Sequence, residues 1–157
     1  MKATPEYMMK NFFPLPTQIF SLGLAAEEIA IYSYLMYLED RKTFECHPAY
    51  RTIGGALHMS ENTVRKYVHR LEDKGFIYTK PTLLHPKKGP PRNGNLQYTV
   101  RPIQEAVEIY QARQLAAMDA ERAHQEAMRR VDEYNSKHPD KPVTVTCNDQ
   151  AQAVAAL

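Results

Sequence analysis

"MSENTVRKYVHRLEDKGFI", residues 59–77, reads as one amphipathic helix with a marked start and stop. Ser60 is an N-cap type whose hydroxyl can accept a first-turn N–H, and Glu61 suits the positive helix end. Thr63 stands where a full capping box would place Glu or Gln, so the box is expected to be incomplete. Gly75 can take the left-handed conformation that closes a helix, which puts the last turn near Lys74. At 100° per residue, Val64, Tyr67, Val68 and Leu71 fall within an arc of about 100°. Asn62, Lys66 and His69 point the other way, with Arg65 and Arg70 on the flanks. A helix anchored by its apolar arc must present that cationic face to something else.

The elements around it follow from period and punctuation. Upstream, Tyr50, Ile53 and Leu57 form one face of a shorter helix, about 49–57, opened after Pro48. Gly54 and Gly55 each cost that helix roughly 1 kcal/mol relative to Ala, tolerable where a neighbour passes close to the backbone. "HMS" then reads as a tight turn. Before it, residues 26–40 form a helix apolar on most sides, through Ile29, Tyr32 and Met36 and through Ile31, Leu35 and Leu38, and hence central. Glu27 and Glu28 suit its positive end. "TFECHP" reads as a loop.

Downstream, "FIYTK" (76–80) and "LQYTV" (96–100) alternate as strands. About fifteen residues rich in Pro, Lys and Gly join them. Two strands and a long basic connection make a β-hairpin wing. From Ile103 to about Tyr134 the pattern is helical, roughly 48 Å at 1.5 Å per residue. Its stripe of Ile109, Ala112, Ala116, Ala120, Ala123, Ala127, Val131 and Tyr134 has an eleven-residue rhythm close to that of an untwisted helix.

The expected fold is mainly α with a small β-hairpin wing: a winged helix-turn-helix followed by a long C-terminal helix. Residues 1–24 are expected as an arm packed on the core, because Phe12, Phe13, Leu15, Ile19, Phe20, Leu22 and Leu24 need a surface to cover, with one short turn at 16–20. Residues 25–101 form the winged domain, 102–134 the long helix, and 135–157 a flexible tail.

Charge and composition narrow the function. The chain has 157 residues and a net charge of +2. Nine Lys/Arg against two acids lie between Arg65 and Arg101, so the remainder is net acidic. That asymmetry suits a polyanion-binding surface. Asn, Arg and Lys can read base edges or hold phosphates, and such a helix fits a B-DNA major groove. Ser60, Asn62, Thr63 and Lys66 occupy the first turns, where base edges are approached, with His69 further along the same face. Arg65 and Arg70 are placed to clamp phosphates or take guanine. Lys87, Lys88 and Arg92 in the wing are candidates for the minor groove or phosphates, and Tyr50 and Arg51 for backbone contacts. The simpler alternative is a polar helix face kept for solubility.

Other chemistry finds little support. Cys46, His47, His58 and Cys147 match no zinc-ligand spacing, and no cofactor is expected. No phosphate loop, nucleophile elbow or paired-carboxylate signature occurs, so no enzyme is expected. No small-molecule ligand is evident. The N-terminus lacks the apolar core of a secretory signal, and no stretch approaches the roughly 18 apolar residues of a membrane span. A cytoplasmic setting is expected.

The stretch "TFECHPAYRTIGGALHMSENTVRKYVHRLEDKGFI", residues 43–77, resembles the winged helix-turn-helix segments of regulators and initiators from bacterial plasmids and conjugative elements. "FFPLPTQIF" with "EEIAIYSYLMYLEDRKT", ending its helix in Asp40-Arg41, resembles the N-terminal part of plasmid replication initiators of the RepA N-terminal family. The resemblance spans roughly residues 12–110. It implies a DNA-binding fold and an initiator or accessory role in a mobile element. Two positions depart from it. Ala49 stands where that family tends to have a capping serine, and His58 where glycine commonly makes the turn.

Three functions follow as alternatives: a transcriptional regulator bound to double-stranded DNA, a replication initiator or accessory factor, and a winged-helix protein-interaction module that binds no DNA. A helix of 48 Å outreaches a core of about 100 residues, whose radius of gyration is near 13 Å. A homodimer through the long helix is therefore expected, with two recognition helices on a palindromic site. Glu and Arg between 119 and 133 are expected as a solvated face with pairs such as Glu126–Arg130.

Overall fold

The computed structural model describes residues 12–84, 86 and 89–144. Residues 1–11 of the expected arm and 145–157 of the expected tail lie outside the described residues. The chain divides into two compact units, residues 1–110 and 111–157.

In the first unit the chain enters through a 3-10 turn, Thr17–Phe20, whose Ile19 is fully buried; Leu22 follows it inward. Helix α1, Ala26–Leu38, buries Ile31, Tyr32 and Leu35. It stops two residues short of the sequence expectation, at Glu39, which takes an extended conformation. Helix α2, Tyr50–Leu57, begins after Ala49, which offers no side-chain cap. His58 closes it in the left-handed conformation, φ 54°, a tolerable position for histidine but a strained one for most non-glycine residues. Helix α3, Glu61–Asp73, is the helix of the opening stretch. Ser60 Oγ accepts the Thr63 N–H at 3.1 Å, so the cap is real and single. Gly75, φ 80°, follows Lys74 as the left-handed stop.

The turn between α2 and α3 is tight enough to fix residue choice. A Cβ on Gly54 would collide with the Met59 carbonyl oxygen and touch Val64 Cγ2. A Cβ on Gly55 would meet nothing within 4 Å. The close approach anticipated for both glycines therefore holds at Gly54 alone.

Short antiparallel strands complete the domain. Strand β1, Glu45–Cys46, lies within "TFECHP", which sequence pattern assigns to a loop. Strand β2, Ile77–Lys80, is followed by β3, Leu83–Leu84, and β4, Arg92–Asn93. Strand β5 is Gln97–Val100. The order in the three-stranded sheet is β1-β5-β2, with Ile77 opposite Val100, Lys80 opposite Gln97 and Cys46 opposite Tyr98. Strands β3 and β4 pair separately, Leu83 with Asn93 and Leu84 with Arg92. The wing is thus a hairpin with a second ladder toward its tip, where composition suggests an unstructured connection.

One core joins these parts. Val64, Val68 and Leu71 of α3 are fully buried with Ile53 of α2, the α1 residues, Phe76, Ile77, Tyr98 and Val100. Each such aliphatic side chain contributes roughly 1.5–3 kcal/mol by leaving water. Tyr32 meets Phe76 edge to face, ring centres 5.2 Å apart. Helix α4, Ile103–Lys137, starts after Pro102 and seats Ala106 in this core. Three helices with a tight α2–α3 turn, then a small antiparallel sheet and a long helix, make a winged helix-turn-helix.

In the second unit, residues 111–130 of α4 are exposed throughout. The stripe alanines Ala112, Ala116, Ala120, Ala123 and Ala127 are among them. Glu126 and Arg130 pair at 2.6 Å, and Glu133 and Lys137 at 2.7 Å. The helix ends at Lys137, beyond the expected Tyr134. After it the chain turns, and Asn135 exchanges two hydrogen bonds with the Val143 backbone. Among the described residues no helix is long and apolar enough to cross a membrane.

Candidate nucleic-acid interface

The outward face of α3 carries Asn62, Arg65, Lys66, His69 and Arg70, all exposed, while Thr63 is half-buried beside the cap. Val64, Val68 and Leu71 point the opposite way into the core. Tyr67, expected within the apolar arc, is only half-buried, and its phenol ring serves the outward face. Lys66 Nζ lies 5.5 Å from the ring centre and the Arg70 guanidinium 5.4 Å from it. Arg65 lies over the ring of Tyr50 on α2, 5.6 Å from its centre. Each contact is worth roughly 0.5–1 kcal/mol at an exposed site, enough to bias long side chains toward one direction. Arg65, Lys66 and Arg70 therefore rest on aromatic platforms.

Tyr50 joins the face from α2, with Arg51 exposed next to it. Burial pushes the Tyr50 hydroxyl above its ordinary pKa, the Arg65 charge pulls it down and Glu72 adds to the rise. An open depression of about 260 Å³ runs between the start of α2, Glu61 of α3 and the base of the wing at Gly94, Asn95 and Leu96. Asn95 Nδ2 donates to the His47 carbonyl at 3.2 Å and ties the wing base to the entry of α2. The start of α2, which has no side-chain cap, borders this depression.

The wing contributes Arg92, exposed on β4. Lys87 and Lys88 lie outside the described residues, as does Cys147. Cys46 is buried with its Sγ 3.7 Å from the Leu35 carbonyl, and burial pushes its thiol up to about 11.

Two charged side chains at the far end of α3, Glu72 and Lys74, are engaged by other elements of the fold. Glu72 Oε1 accepts from both the N–H and the hydroxyl of Thr79, at 3.0 and 2.8 Å, and so pins α3 to β2. Its other oxygen lies 3.9 Å from His69 Nδ1. Lys74 reaches Glu28 at 2.7 Å and the Gly23 carbonyl at 2.8 Å. Glu28, expected only as a helix-dipole partner, is fully buried and also accepts the Ala25 N–H at 2.7 Å. Sequence pattern missed both ties because their partners are distant or lie across a change of element.

The helix-turn-helix part of the chain has a counterpart among known families. A family model described as a helix-turn-helix domain matches residues 22–77, from Leu22 of the arm to Ile77 of the wing. No curated protein matches the chain. Among solved structures, one titled "Possible transcriptional regulator from Methanosarcina mazei Go1" is similar at 16% identity and a TM-score of 0.42. The alignment covers 70% of this chain and 82% of that one.

Proposed function

We propose that this chain binds double-stranded DNA, with α3 in the major groove and the wing against the backbone or minor groove, and that it acts as a transcriptional regulator. The observation that carries this reading is the split of α3. Three buried aliphatics hold it to the core, and Asn62, Arg65, Lys66, His69 and Arg70 stand exposed on the other side. Asn62, Thr63 and Lys66 in its first turns take the base edges. Arg65, Arg70 and Arg51 take phosphates, Tyr50 supports Arg65, and Arg92 supplies the wing contact. The helix-turn-helix match over residues 22–77 supports the same assignment. No catalytic role enters this reading.

A homodimer through α4 belongs to the same proposal. Its exposed alanine stripe permits close helix approach, and two copies would present two recognition helices to a two-fold site. A second reading, replication initiator or accessory factor of a plasmid or conjugative element, is favoured by the arm. Its Ile19 and Leu22 are buried in the core, and its sequence carries the resemblance to initiators.

The test is duplex binding as a function of salt. Contact with about five phosphates gives a log–log slope near −4 to −5. Binding that is absent at low salt, or indifferent to salt, overturns the proposal and favours a protein-interaction module.

A further inference from the structure

Lys74 stands at the C-terminal end of the recognition helix, inside the basic segment, and would ordinarily be counted among the phosphate contacts. Its ammonium faces the other way. It is held by the Glu28 carboxylate at 2.7 Å and the Gly23 carbonyl at 2.8 Å. Glu28 is fully buried, and the same oxygen that takes Lys74 also takes the Ala25 N–H at the start of α1. On the other side, Gly75 packs so closely on Ile109 and Ala106 of α4 that a Cβ there would collide with Ile109 Cδ1. The end of α3 is therefore clamped between the start of α1 and the first turns of α4.

We propose that Lys74 and Glu28 form a positioning pair: they fix the tilt of the recognition helix, and Lys74 acts on DNA affinity through Glu28 and not by touching DNA. This rests on the duplex-binding reading above. Glu28 is fully buried and Lys74 only partly so; desolvation of the carboxylate offsets much of the attraction, whereas losing Lys74 strands a buried charge. Its geometric effect is different. It defines one distance between residues 46 positions apart in sequence and so ties the end of α3 to the start of α1.

The experiment compares the wild-type chain with Lys74→Met and with the double variant Lys74→Met/Glu28→Gln. The glutamine amide keeps an acceptor for the Ala25 N–H, and its NH2 takes the place of Oε1, which has no hydrogen-bond partner among the described residues; a stranded carboxylate is thus exchanged for a neutral amide, and the double variant melts closer to wild type than Lys74→Met does. Folded and stable, it binds duplex about tenfold more weakly, a loss of one decade in Kd, with the salt slope unchanged. Wild-type affinity in the double variant overturns the proposal. So does a slope shallower by about 0.9, which marks Lys74 as a phosphate contact. Amide exchange in the free protein reads the clamp without DNA. The Lys74, Gly75 and Phe76 amides, bonded to Arg70, Glu72 and Leu71, exchange faster in the double variant. Unchanged exchange there overturns the pair, whereas faster exchange in a chain that binds no duplex sinks only the functional reading.

Discussion

The guanidinium of Arg65 lies over the ring of Tyr50, 5.6 Å from its centre, and so one helix of the motif aims a cation of the other. Arg65 is exposed and its side chain is long, so without this contact it would sample many rotamers. The ring reduces the ordering cost of any phosphate or base contact that Arg65 makes.

That geometry predicts coupling. Tyr50→Ala and Arg65→Ala each weaken duplex binding, and the double variant is weakened by less than the sum. A coupling of about 0.5–1 kcal/mol is expected for one exposed cation–π contact. Binding isotherms of the four proteins measure it; strict additivity would show that the contact has no part in binding.

The Ser60 hydroxyl is the side-chain cap of α3. Ser60→Ala should cost about 1 kcal/mol, whereas Ser60→Asp should hold stability because Asp caps as well. Thermal or urea melts distinguish the two. Equal losses in both would mean that the Thr63 N–H finds another acceptor.

The two glycines of α2 separate cleanly. Gly54→Ala drives a methyl into the Met59 carbonyl and opens the tight turn, so it destabilises the domain by about 1–3 kcal/mol. Gly55→Ala meets open space and gains about 0.5–1 kcal/mol of helix propensity. Melts of the single variants decide the matter, and a reversed order would contradict the close packing at Gly54.

Glu39 gives a pH dependence. Burial pushes its carboxyl up, with Arg41 pulling partly the other way, and its Oε2 is buried without a hydrogen-bond partner among the described residues. A carboxyl with a raised folded pKa binds its proton more tightly in the fold than in the unfolded chain. Its contribution therefore worsens as pH rises through the ordinary carboxylate range. Glu39→Gln should raise the Tm at neutral pH, and the gain should vanish in acid, where both states of the wild-type carboxyl are protonated. A gain that persists in acid would assign the effect to something other than charge.

The parts of this fold that are legible in sequence are those written in nearest-neighbour terms. The arc of Val64, Val68 and Leu71 repeats at helical spacing, and Ser60 and Gly75 are local start and stop residues. The face bearing Asn62, Arg65, Lys66, His69 and Arg70 follows by subtraction. What escapes is long-range. Strand β1 is two residues that are a strand only because β5, distant in sequence, lies beside them. The β3–β4 ladder has Leu83 and Leu84 exposed, so it shows none of the in–out alternation that marks a packed strand. Lys74 looks like one more surface cation until the fold brings Glu28 to it, and Tyr67 looks like core until its ring is seen under Lys66 and Arg70.

The most direct test replaces Arg65, Lys66 and Arg70 by Ala, singly and together, and follows binding to one duplex by fluorescence anisotropy across a salt series. All three side chains are exposed, so helical content should stay near wild type and melting should fall by no more than the roughly 0.5–1 kcal/mol that each cation–π contact contributes. Each single change should weaken binding, and the triple variant should also lose about 0.9 of salt slope for every phosphate contact removed. If the triple variant binds with wild-type affinity and slope, the outward face of α3 does not meet DNA.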